Sequence, residues 1–165
     1  MAEHIHLTLN MQKQGAVKGD STQESLGRKD TIEVIYYEQE VITAREANTN
    51  TLTGRRQHGP VVIRKLIDKA SPLLLQALTT NEIVKDATFK FFRPNPAGDG
   101  TTEQYYTVKI TNGAVASVKQ VSPDTKDPQW VHEAPFEEIR FVFQDIEWRH
   151  ETGKTSAADS WKQGK

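Results

Sequence analysis

Short runs of alternating apolar and polar residues recur along the chain and predict strands. From His4 to Asn10, Ile5, Leu7 and Leu9 alternate with His6 and Thr8. Thr31 to Val41 places Ile32, Val34 and Tyr36 on one face and Glu33, Ile35 and Tyr37 on the other. Apolar groups on both faces describe a strand packed on two sides, or one that meets another chain. Val61 to Ile67 and Thr88 to Phe92 read as further strands. Glu103 to Thr111 and Ala114 to Val121 flank Asn112-Gly113, a two-residue hairpin signal. Glu137 to Trp148 is the last predicted strand, with Ile139, Phe141 and Phe143 on one face and Val142, Ile146 and Trp148 on the other.

Three segments break the alternation. Ser71 as N-cap and Pro72 as first helical residue start a short helix, with Leu74, Leu75 and Leu78 at helical spacing on the core side. It ends near Thr79 to Asn81. Thr43 to Gly59 is polar, carries Arg45, Glu46, Arg55, Arg56 and His58, and has Leu52 as its one large apolar residue. Its length exceeds the usual connection of about 4 to 6 residues, so it is expected to be a functional contact loop. Ser122 to Pro135 is a second long loop, with three prolines and Trp130. After Glu151 the chain is small and polar until Trp161. Seven or eight strands with one helix predict a mainly β fold: a small β-barrel or two-sheet sandwich, one short flanking α-helix and a long extended loop. The expected layout is a single domain over residues 1–165, with an arm at about 43–59, a helix at about 71–79 and a flexible tail at about 152–165.

Composition narrows the chemistry. Lys plus Arg number 21 and Asp plus Glu 22, a net charge of -1. That balance argues against a nucleic-acid or membrane binder, both of which need a basic excess. With no cysteine, disulfides, thiol nucleophiles and cysteine zinc sites are excluded. The N-terminus has no signal-peptide pattern and the longest apolar runs are three residues, so the chain is expected to be made in the cytoplasm and, if exported, to leave without a cleaved signal.

No catalytic constellation emerges. His4 and His6 share a strand face without a third metal ligand and read as an exposed polar face. Glu137-Glu138 and the Asp145/Glu147 pair read as exposed strand charges. Gly98-Asp99-Gly100 does not open a helix, so it is a turn rather than a phosphate loop. No enzyme, cofactor or metal is expected. The remaining anomaly is a long charged loop beside strands that are apolar on both faces.

These segments together resemble the haemolysin-coregulated protein (Hcp) family, the tube protein of bacterial type VI secretion. The carrying residues are Gly19-Asp20-Ser21-Thr22, then Lys65, Asp68, Ser71, Pro72 and Leu74 in a Lys-x-x-Asp-x-x-Ser-Pro-x-Leu pattern. Phe91-Phe92-Arg93-Pro94, Gln104 to Ile110, Glu137 to Trp148 and Asp159-Ser160-Trp161 continue the match. The resemblance implies a barrel that assembles into a homo-hexameric ring, with rings stacking into a secreted tube. It also implies sheath, spike and baseplate proteins as partners, small effector proteins in the lumen, and no membrane insertion. The 43–59 segment resembles the family's extended arm, which makes Arg45, Arg55, Arg56 and His58 the candidate subunit-interface residues. Toxin-bearing members extend further at the C-terminus than this sequence does, and no such domain is expected here. A phage-like tail-tube or baseplate protein, and a small-ligand barrel, are the other readings.

Overall fold

A computed structural model describes residues 3–161. Its strands are β1 (His4–Met11), β2 (Gly15–Val17), β3 (Ile32–Val34), β4 (Tyr36–Glu38), β5 (Val41–Arg45), β6 (Leu52–His58) and β7 (Val61–Leu66). Helix α1 (Ser71–Thr79) follows, then β8 (Ile83–Pro94), β9 (Thr102–Val121), β10 (Phe136–Val142), β11 (Asp145–His150) and β12 (Thr155–Ser160). The main sheet runs β2-β1-β8-β9-β10-β7-β4, with β11 and β12 extending from β9. β3 pairs with β1, β4 pairs with β7, and the Ile35 N–H between them donates to the Arg64 carbonyl at 2.8 Å. One continuous segment therefore joins the two ends of the sheet and closes a barrel-like circuit. The inward positions Leu7, Leu9, Ile63, Phe89, Ile110, Ile139 and Phe141 are buried and form a single core. Each such side chain contributes about 1.5–3 kcal/mol relative to exposure.

Four predicted elements differ. Asn112-Gly113 makes no hairpin: β9 runs straight through it as one 20-residue strand. Residues before Asn112 pair with β11 and residues after Gly113 pair with β10, so the dipeptide is the corner where β9 passes from one to the other. Asn112 takes the positive φ of 52°, and a Cβ at Gly113 would lie 2.3 Å from the Val142 carbonyl oxygen. The pairings with β8, β10 and β11 along its whole length override the local turn preference of the dipeptide. The predicted last strand is likewise two, broken at Phe143-Gln144 beside that corner. The expected flexible tail contains β12, which pairs with β11 over six residues; positions 162–165 lie outside the described residues. Within 31–41, the break at Ile35 reverses the alternation. Tyr36 turns outward, and Tyr37 turns inward against Phe89 and Phe91.

Helix α1 spans the predicted residues, but Ser71 is not its N-cap: Ala70 is, without a side-chain cap. The Ser71 hydroxyl is committed elsewhere. It donates to Glu137 Oε2 at 2.8 Å and accepts from Lys65 Nζ and the Asp68 N–H, both at 3.0 Å. Lys65 Nζ lies 2.7 Å from Glu137 Oε2 and 2.8 Å from Asp68 Oδ1, and Gln120 Nε2 donates to Glu137 Oε1 at 2.6 Å. Glu137, expected on an exposed face, is thus fully buried, as is Lys65. Burial alone would raise the Glu137 pKa, but hydrogen bonds from Lys65, Gln120 and Ser71 hold it below the usual range. Buried Ser71, Leu74 and Ala77 seat the helix on the core, and Leu73 and Leu78 pack at its margin.

His6 is also buried rather than exposed. The Thr31 hydroxyl donates to the Arg28 carbonyl at 2.7 Å, so His6 Nδ1–H donates to Thr31 Oγ1 at 2.8 Å. Burial, helped by the nearby Arg28 and His4, lowers the His6 pKa to about 4.

Two stability predictions follow from these buried groups. Lys65→Met strands two carboxylates, and urea denaturation is expected to show a loss of about 3–5 kcal/mol; a loss below about 1 kcal/mol would mean the carboxylates are not held by Lys65. For His6, the unfolded chain takes up a proton below pH 6.5 while the folded chain resists until about pH 4. Stability should therefore fall by about 3 kcal/mol as pH drops through that window. Replacing His6 with Asn should flatten that part of the profile, and an unchanged slope would remove His6 as its source.

Candidate assembly interface

The segment expected to be an irregular loop is a two-stranded ribbon, β5 paired with β6 in a sheet of its own. Thr43, Thr51 and Thr53, together with Asn50 at the left-handed tip (φ 55°), are the signals that mark it in the sequence. The tip is internally ordered. The Glu46 N–H donates to the Thr51 carbonyl and the Asn50 N–H to the Glu46 carbonyl, both at 2.9 Å. Nearly every ribbon residue is exposed, including the apolar Val41, Ile42 and Leu52.

The four candidate residues divide into two pairs. Arg45 lies out on the exposed ribbon, donating within it to Thr43 Oγ1 and, at 3.0 Å, to the Asn50 carbonyl. Arg55 is exposed and lines a cleft of about 240 Å³ with Gln57 and Trp161. Arg56 and His58 turn back to the barrel and converge on Asp159 of β12. The Arg56 guanidinium grips Asp159 through both Nε and Nη2, the latter at 2.6 Å from Oδ1, and Nη2 also donates to the Ser160 carbonyl at 2.9 Å. His58 Nε2 lies 2.6 Å from Asp159 Oδ2. The His58 ring stacks on Trp148 at 6.2 Å and meets Phe143 and Trp161 edge-on at 5.4 and 5.6 Å. The Arg56 hydrogen bond, supported by His58, holds the Asp159 carboxyl far below the ordinary carboxylate range. A second, more apolar cleft of about 450 Å³ lies at the ribbon root, lined by Pro60, Ala114, Val142, Phe143 and Trp161.

Sequence reasoning missed Asp159 as a site residue, because a lone acid among small tail residues gives no periodic signal. Its place in the Asp159-Ser160-Trp161 match and its opposite charge to the ribbon's arginines were the clues available. Among the described residues, no group of three or more His, Asp or Glu is placed to hold a metal ion.

A family model described as "Type VI secretion system effector, Hcp" matches residues 8–150. The chain belongs to the Hcp family. Its similarity to the Major exported protein of Pseudomonas aeruginosa is 34% identity over 169 aligned residues, covering 98% of this chain and 97% of that one. Among solved structures, the fold is similar to the Hcp1 protein of the E. coli EAEC 042 pathovar, with a TM-score of 0.82, 28% identity, and 97% of this chain and 99% of that chain covered. It is also similar to the secreted protein Hcp3 of Pseudomonas aeruginosa, with a TM-score of 0.77, 29% identity and the same coverage. The mainly β barrel with one flanking helix is thus the Hcp fold, and membership makes the chain a type VI secretion protein.

The clasp on Asp159 makes a local prediction for this Hcp-family chain. Asp159→Asn keeps the side-chain shape and removes the charge that Arg56 and His58 share. Hydrogen exchange of the β5 and β6 amides should then quicken while β1 and β8 amides are unaffected. Unchanged ribbon exchange would show that the clasp does not order the ribbon.

Proposed function

We propose that this protein is a structural tube component of a type VI secretion system, forming hexameric rings that stack and are expelled, with small effector proteins carried in the lumen. The observation that carries the reading is the β5–β6 ribbon. An isolated two-stranded hairpin is at best marginally stable in water, yet this one stands off the barrel with Val41, Ile42 and Leu52 exposed at 41%, 49% and 55%. A neighbouring subunit would cover those side chains. Rotation of such a head-to-tail contact by a whole fraction of a turn closes a ring. The clasp on Asp159 holds the ribbon root at a fixed place, which a repeated contact requires. Arg45 and Arg55 point the reading toward a polar, separable interface, as suits rings that must later come apart. Family membership supports export by this system without a cleaved signal, with sheath, spike and baseplate proteins as partners, and a structural rather than enzymatic role.

The test is solution mass by light scattering after size exclusion, with negative-stain imaging of the peak. The expected result is six times the protomer mass and six-fold rings. Replacing residues 44–55 with Asn-Gly joins the directly paired Thr43 and Arg56 by a two-residue turn and keeps the clasp. That variant should lose the higher mass and retain the barrel's melting transition. A monomeric parent protein at high concentration would overturn the tube reading, and an unchanged oligomer after shortening would remove the ribbon from it.

A further inference from the structure

At the Leu66 end of β7 the barrel carries an apolar shelf that no part of the described chain covers. Ile35, in the break between β3 and β4, is 57% exposed, and Leu66 and Ile67 are 47% and 49% exposed. These three line a shallow cavity of about 170 Å³ together with Asp20, Glu33 and Asp68. Isolated exposed apolar residues are ordinary, but three side by side within a charged rim mark a contact surface.

The rim is negative. Asp20 and Glu33 have no ion-pair partner among the described residues. Asp68 faces Lys65, but the single charge of Lys65 is shared with Glu137. Lys69, next to Asp68 in the chain, sits 4.0 Å from Asp30. Ser21 also lines the cavity, with its hydroxyl oxygen buried beneath the surface. The shelf therefore presents an apolar floor and an acidic rim.

The ribbon carries the complementary set. Residues 41–58 hold Arg45 and Arg55 against one glutamate, Arg56 being taken up by Asp159, and Ile42 and Leu52 are exposed on the same ribbon. Its root at His58 precedes the first residue of β7, and the shelf begins at the last residue of the same strand. Six residues of strand separate root from shelf by roughly 20 Å. Ribbon and shelf therefore sit at opposite ends of one rigid element, the arrangement of a head-to-tail contact between copies.

We infer that the acidic apolar shelf of one subunit receives the ribbon of a second copy, with Arg45 and Arg55 meeting Asp20 and Glu33, and Leu52 meeting Ile35, Leu66 and Ile67. This rests on the reading of the ribbon as an assembly element and names the surface it binds.

The chain has no cysteine, so a two-cysteine variant reports the contact without background. Ile35→Cys/Leu52→Cys, concentrated under a mild oxidant, should yield a ladder of covalent multimers on a non-reducing gel, and each single variant should yield at most dimers. In parallel, Asp20→Lys/Glu33→Lys should shift the light-scattering mass toward the protomer. Adding Arg45→Glu/Arg55→Glu to that variant should restore the mass, which a merely structural defect would not allow. All four charged positions are exposed, and unchanged melting confirms folding. An oligomer that neither cross-links at 35–52 nor responds to charge reversal overturns the shelf assignment and leaves the tube reading standing. A monomeric parent protein overturns both.

Discussion

Lys65 and Glu137 face each other directly across β7 and β10, and Gln120 stands opposite Glu137 across β10 and β9. Removing two charges from water is unfavourable by several kcal/mol per ion unless close geometry and further hydrogen bonds offset it. Here the Ser71 hydroxyl, the Asp68 carboxylate and the Gln120 amide supply those bonds. The consequence is positional. A one-residue slip of β10 would move Glu137 to the opposite face and strand Lys65 in the core. The ion pair thus sets the register of three strands, and through Ser71 it fixes where the helix meets them.

That fixed register gives the two ends of β7 their separate characters. At one end the chain leaves the barrel into the ribbon, clamped by Arg56 and His58 on Asp159. At the other, β7 passes through Leu66 and Ile67 directly into the Asp68–Ser71 turn that closes the buried network. The barrel between them fixes the distance from one to the other. An assembly built by repetition needs such a spacer, because angular error between contact surfaces multiplies with each added copy.

Much of the barrel was legible in the sequence. Strands β1 and β8 show the period-two pattern because each has one face in the core, and Pro72 with Leu74 marks the helix. The site was legible only in part. Arg45, Arg55, Arg56 and His58 stand out by charge, but nothing local distinguishes the exposed pair from the clasped pair. That distinction depends on Asp159, about a hundred residues away. The ribbon was read as a loop because both of its faces are wet, and a strand without a dry face leaves no alternation to detect. Asn112-Gly113 misled for the converse reason: its local turn preference is strong, and the pairing that overrides it comes from β8, β10 and β11.

The sequence by itself determined that the main barrel segments are extended, where the helix lies, the absence of thiol chemistry and the family pattern built on Lys65, Asp68 and Ser71. These rest on local backbone preference and on side-chain alternation, which need no knowledge of the partner. Tertiary structure alone decided that Glu137 and His6 are buried, that β9 is one bent strand, and that Asp159 holds the ribbon. Each of those depends on the free energy of pairing groups far apart in sequence, and a charge or a wet strand carries no mark of the residue that will satisfy it.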